Sequence, residues 1–164
     1  MVYVVLSFVY KLYLDASKNP QNHSDYITTL VGIQSKSILN TFGYEVEVIR
    51  HPNEPSMKMI LNDKYVGRVI EGCNSISIII LFLSFIVAFS DTWKSTMLYI
   101  FVGGILIYVV NLLRIVILSI GLYNFPEQET LLHTIIFPLI IYGMVFLLWV
   151  FWVNRLQVIS KTKK

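Results

Sequence analysis

Three stretches of this chain carry no charged side chain: residues 72–90, 95–113 and 130–154, the shortest of them 19 residues long. A helix needs about 20 mostly apolar residues to cross the hydrocarbon core of a bilayer. In lipid every backbone polar group must be paired within the protein, which makes helices of such runs. Hydrophobic helices are therefore predicted at about 74–90, 95–122 and 131–153. Charged residues are only 14% of the 164, against about a quarter in soluble domains. Residues 1–16 are apolar but interrupted by Lys11, and read as a short or partial first transmembrane helix.

Residues 17–72 have a different character. "SKNPQNHSD" is a polar turn segment, and Asp25 then precedes "YITTLVGIQSKSILNTFG". Apolar residues recur there at helical spacing (Ile27, Leu30, Val31, Ile38, Leu39, Phe42), with a polar patch at Gln34 to Ser37. An amphipathic helix on the membrane surface fits, stopped at Gly43. "YEVEVIR" alternates acidic and β-branched residues, and "MKMIL", "NDK" and "YVGRVI" read as strand, tight turn and strand. The predicted fold is an all-α polytopic membrane protein with about four transmembrane helices. A small extracytoplasmic amphipathic helix and a β-hairpin or meander complete a single membrane-embedded domain. A three-helix core occupies residues 73–153, and 154–164 form a basic tail.

Basic residues favour the cytoplasmic side of short loops. After Trp152 the chain has Arg155, Lys161, Lys163 and Lys164 and no acid, whereas the loop 123–130 has Glu127 and Glu129 and no base. The tail is thus predicted inside and segment 17–72 outside, although its six basic residues are balanced only by six acids. The net charge of +3 gives no reason to expect nucleic acid. One cysteine excludes an intramolecular disulfide and a multi-cysteine metal site, and His23 and His51 lack ligand spacing. No metal or cofactor is expected.

The predicted topology makes three reactive side chains converge. Cys73 opens one helix. Arg114 lies eight residues before Leu122 in the next, about 12 Å along the axis. His133 sits in the first turn of the third. All three fall toward one membrane face. Each has a bland reading of its own. A free cysteine often just packs, although a helix N-terminus favours its thiolate. An arginine in an apolar helix usually faces a cavity or partner, but it can snorkel to the interface. An imidazole near the headgroups can simply be solvated. Together they are the parts of a cysteine protease or transferase: nucleophile, fixed cation and acid–base. Asn111, one turn before Arg114, and Asn74 and Glu71 beside the thiol are possible supporting residues. For Asn111 a plain helix–helix hydrogen bond is an equal alternative.

"EGCNSISIIILF", "NLLRIVILSIG" and "LLHTIIFPLIIYGMVF" resemble the three motifs of the exosortase/archaeosortase family, and "LNDKYVGRVIEGCN" resembles its short exosortase F branch. The resemblance implies a multi-pass enzyme of the bacterial cytoplasmic (inner) membrane with its active site facing the periplasm. It would cleave C-terminal sorting signals of secreted proteins, each a motif, a transmembrane helix and a basic tail. By that resemblance Cys73 is the nucleophile, Arg114 the stabilising cation and His133 the acid–base. An acyl-enzyme would pass to water or to a cell-envelope amine. Here Asn74 and Ser75 follow the cysteine, where the family often has a small residue and glycine. The rival reading is a non-catalytic membrane scaffold or small transport subunit with a structural arginine.

Overall fold

A computed structural model describes residues 1–17, 25–51, 54–70, 73–90 and 92–162. The first helix, α1 (Val2–Ser17), is followed by α2 (Tyr26–Thr41). The Asp25 carboxylate caps α2 by accepting from the backbone N–H groups of Ile27 and Thr28, at 3.0 and 3.1 Å. At its other end Gly43 takes φ +87°. The Gly43 and Tyr44 N–H groups donate back to Asn40 and Leu39, which closes the helix as the glycine predicts. The face α2 buries overlaps the predicted one at Val31 and Leu39 but is shifted toward small residues. Thr28, Val31, Gly32, Ser35 and Leu39 are buried, whereas Ile33 and Phe42 are exposed. Small residues are needed there because the helix lies on a sheet and against a second helix, in addition to any membrane contact.

That sheet is an antiparallel meander of β1 (Val46–Arg50), β2 (Ser56–Leu61) and β3 (Lys64–Ile70), in the order β1-β2-β3. Asn62 and Asp63 join β2 to β3, both with positive φ, the pattern of a two-residue hairpin turn whose twist matches its strands. Met57, Met59 and Leu61 alternate inward on β2. On β3 the buried residues are Val66 and Val69, three apart. A register shift reconciles them: Met59 pairs with Gly67 but Ile60 with Tyr65, so Val66 is the extra residue of a bulge.

The hydrophobic helices are α3 (Ile76–Ala88), α4 (Trp93–Asn124) and α6 (Phe137–Thr162). A short α5 (Glu129–Leu131) and a π-helical turn, Leu132–Ile136, lead into α6. The predicted helix over 131–153 is thus interrupted. Pro138 has no N–H to return to the carbonyl four residues earlier, and the wider turn takes up the mismatch. Of the roughly four predicted transmembrane helices, length and composition single out two among the described residues. Two helices are long and apolar enough to cross a bilayer, Trp93–Asn124 and the Thr134–Arg155 part of the last one. The 13 residues of α3 reach only about 20 Å at 1.5 Å per residue. The Asn74-Ser75 step delays its start and Phe89 ends it.

At 32 residues α4 is about 48 Å long, and its two halves serve different cores. Its C-terminal half contributes Leu112, Ile115, Val116 and Leu122 to a cluster with the meander and α2. Its N-terminal half gives Ile107 to a second cluster with Phe82 and Ile86 of α3 and Val145 and Trp152 of α6. The Trp152 indole N–H donates to the Phe89 carbonyl at 3.0 Å, tying α6 to the end of α3. The predicted helix at 74–90 begins where these two clusters meet.

Candidate active site

Cys73 stands three residues ahead of α3, not at its first turn. Ser75 is the cap residue and has φ +63°, a left-handed conformation a non-glycine residue rarely takes. Asn74 makes it possible. Its Oδ1 accepts from the Ile76 N–H at 3.1 Å, and its Nδ2 donates to the Tyr10 hydroxyl at 2.8 Å. Asn74 is 1% exposed and does not line the cavity described below. Its role is to start α3 and tie it to α1. The Asn74 side chain thus takes up one of the free N–H groups at the start of α3.

Asn111 makes the link that matters. It is fully buried. Its Nδ2 donates to the Cys73 carbonyl at 2.7 Å, and its Oδ1 accepts from Arg114 Nη1 at 3.4 Å. One amide thus holds the backbone of the only cysteine and steadies the arginine a turn away. The bond runs from α4 to the turn ahead of α3, where the bland alternative places a bond between two helices. Asn111→Ala is expected to lower stability by about 1–3 kcal/mol, since buried partners are left unpaired. A fall in Tm of the detergent-solubilised protein would register it.

Cys73 and Arg114 line one cavity of about 400 Å³, a size usual for ligand sites. One wall is the face of α4 made by Arg114, Ile115, Leu118, Ser119 and Leu122; the other is the whole of β3, with Met59 and Pro126 at the margins. The Ser119 hydroxyl is spent on the Ile115 carbonyl, 2.8 Å away. Among the described residues three cations line the cavity, Lys64, Arg68 and Arg114, and no carboxylate does. Arg68 pairs with Glu54, and Lys64 Nζ donates to the Tyr123 carbonyl at 3.1 Å. Arg114 Nε is buried and has no hydrogen-bond partner among the described residues. An unpaired cationic donor is costly to bury, so its place in a cavity wall points to a group that is to be stabilised there. Arg114 is half-buried, with its guanidinium at the cavity wall.

Of His133 the backbone alone is described: it belongs to the π turn Leu132–Ile136, a deformation frequent at functional sites. Leu132 beside it packs near Gly121, at the same end of α4 as the cavity. Glu71 lies outside the described residues. The part of β3, Lys64 and Arg68 in the cavity was not foreseen from single residues. The one local signal is "VGRVIEGC", in which a strand runs straight into the thiol. Among the described residues no group of three or more His, Cys, Asp or Glu has metal-site geometry.

No curated protein and no solved structure matches this chain. The model of the transmembrane exosortases does match, over residues 4–153, and so takes in α1, the meander, the Cys73 turn and the helices carrying Arg114 and His133. A match of that extent means that the chain belongs to the transmembrane exosortase family.

Proposed function

We propose that this protein is a membrane cysteine protease or transpeptidase that cleaves C-terminal sorting signals at the outer face of the bacterial cytoplasmic membrane. The observation that carries the reading is the buried Arg114 Nε, without a hydrogen-bond partner among the described residues, in the cavity that holds the only thiol. In this mechanism the Cys73 sulfur attacks the scissile carbonyl, and the peptide C=O becomes an oxyanion. Arg114 supplies fixed N–H donors and positive charge to it, in a site already organised by Asn111. His133 takes the thiol proton and returns it to the leaving amine. The thioester on Cys73 is then resolved by water or by a cell-envelope amine.

The four-helix arrangement supports a multi-pass protein with α1, α3, α6 and the N-terminal half of α4 in the bilayer. The meander and the C-terminal half of α4 would project on the periplasmic side. A hydrocarbon core of about 30 Å covers about 20 residues of α4, so its last turns stand clear of it. Arg114 then sits near the interface, where its charge costs less than at mid-membrane.

The test is co-expression with an epitope-tagged secreted protein ending in a motif, a transmembrane helix and a basic tail. Expected are shortening of the tagged protein and an adduct on Cys73 that hydroxylamine removes, as it does thioesters. Cys73→Ala should abolish both while the protein still inserts. Unchanged processing by Cys73→Ala would exclude the thiol mechanism.

A further inference from the structure

We propose that the free edge of β3 is a docking strand, on which an extended segment of the substrate polypeptide adds as a fourth, parallel strand and is led to Cys73. The proposal rests on the thiol reading above and names how the substrate is held. β3 is an outer strand: it pairs with β2 on one side, and no strand pairs with it on the other among the described residues. Apart from the bulge at Val66, side chains alternate between the two faces of β3, with Val66 and Val69 on the buried face and Tyr65, Arg68 and Ile70 exposed, so a cavity lying on one face would miss one of these sets. This cavity is lined by all seven consecutive residues from Lys64 to Ile70. It therefore runs along the strand's edge, where unpaired N–H and C=O groups stand.

The direction follows from α4. β3 begins beside Tyr123, which Lys64 contacts, and the chain reaches Asn111's level at Cys73. That is a descent of about 18 Å along the helix, toward the bundle. A peptide whose N-terminal side is outside and whose C-terminal side enters the bilayer must descend the same way, parallel to β3, with its scissile carbonyl arriving at the thiol. Strand addition draws its affinity from main-chain bonds and leaves side chains to shallow selection. Lys64 and Arg114, with Arg68 paired to Glu54, select a segment free of basic residues, and they disfavour a second copy of this chain, whose own edge carries Lys64.

The probes are acetyl-alanyl chloromethyl ketones one to five residues long, acting on the full-length detergent-solubilised protein. The Cys73 sulfur displaces chloride from the ketone methylene, forming C–S and breaking C–Cl, and intact mass reads the rate. The rate constant, normalised to iodoacetamide, is expected to rise about tenfold or more between one and five residues, a couple of hydrogen bonds' worth. N-methylation at one set of alternate residues should abolish that gain, whereas N-methylation at the other set should spare it, since a parallel partner bonds through every second residue. Lysine in place of one alanine should slow labelling. Rates indifferent to length and to N-methylation would overturn the proposal. So would β3-to-β3 cross-linking of two copies with no such alternation. If the alternation holds but Cys73→Ala still processes substrate, the thiol mechanism fails and the docking strand stands.

Discussion

Arg114→Ala is expected to slow substrate cleavage about 100- to 1,000-fold, the usual loss when a donor to a developing oxyanion is removed. The loss should fall on the chemical step. Arg114 Nη1 makes one weak contact, to Asn111 at 3.4 Å, and Nε makes none among the described residues, so few structural bonds depend on the guanidinium. A Tm of the detergent-solubilised variant close to that of the wild type should separate lost catalysis from lost folding. Arg114→Lys should recover only part of the rate. It keeps the charge but has no Nε, and an ammonium cannot reproduce the planar fork that reaches Asn111 and the oxyanion together. Single-turnover cleavage of the tagged substrate measures this. An Arg114→Ala enzyme with the wild-type rate would remove the arginine from the mechanism.

The second large effect concerns the bundle that supports the site. Gly103→Ala is expected to destabilise the protein by about 1–3 kcal/mol, the range for overpacking a filled core. A Cβ built on Gly103 lies 2.4 Å from Phe82 Cζ and 2.7 Å from Cε1, inside any real contact distance. The ring cannot swing away cheaply. Phe82 is fully buried, among Ile86, Ile107, Val145 and Trp152, and tilts against Tyr99 with centroids 6.1 Å apart. Relief must come from moving α3 off α4, which shifts the helix that follows Cys73. Thermal unfolding in detergent should show a Tm lower by about 2–4 °C per kcal/mol. Phe82→Leu in the same chain should recover much of it by vacating the ring's space. A Gly103→Ala protein as stable as wild type would mean that α3 and α4 adjust freely.

The two predictions draw on different levels of legibility. That α3 and α4 are helices was readable from charge-free runs, but the need for a glycine at position 103 was not. Gly103 and Gly104 are adjacent in an apolar helix, and only Gly103 faces a ring. The meander was readable from alternation and the "ND" turn. The bulge at Val66 was not, because it answers to the face α4 presents. Arg114 was conspicuous as the one charge in residues 95–126. Asn74 was legible as a polar residue beside the thiol, yet its work is to start α3, through bonds to Ile76 and to Tyr10, 64 residues away. Among the described residues two helices have the length of a span, and the backbone at Asn74-Ser75 shortens α3 in a way that composition does not register.

By itself the sequence determined the membrane helices, the meander between them, the order of Cys73, Arg114 and His133, and the family. These depend on what neighbouring residues have in common: absence of charge, period, turn chemistry. The tertiary structure alone decided that the Cys73 carbonyl meets an amide 38 residues away, and that Arg114 Nε is buried without a partner among the described residues. It also decided that β3 runs the length of the cavity. Such juxtapositions depend on how α4 lies across both cores, and packing between distant segments leaves no periodic trace in either one.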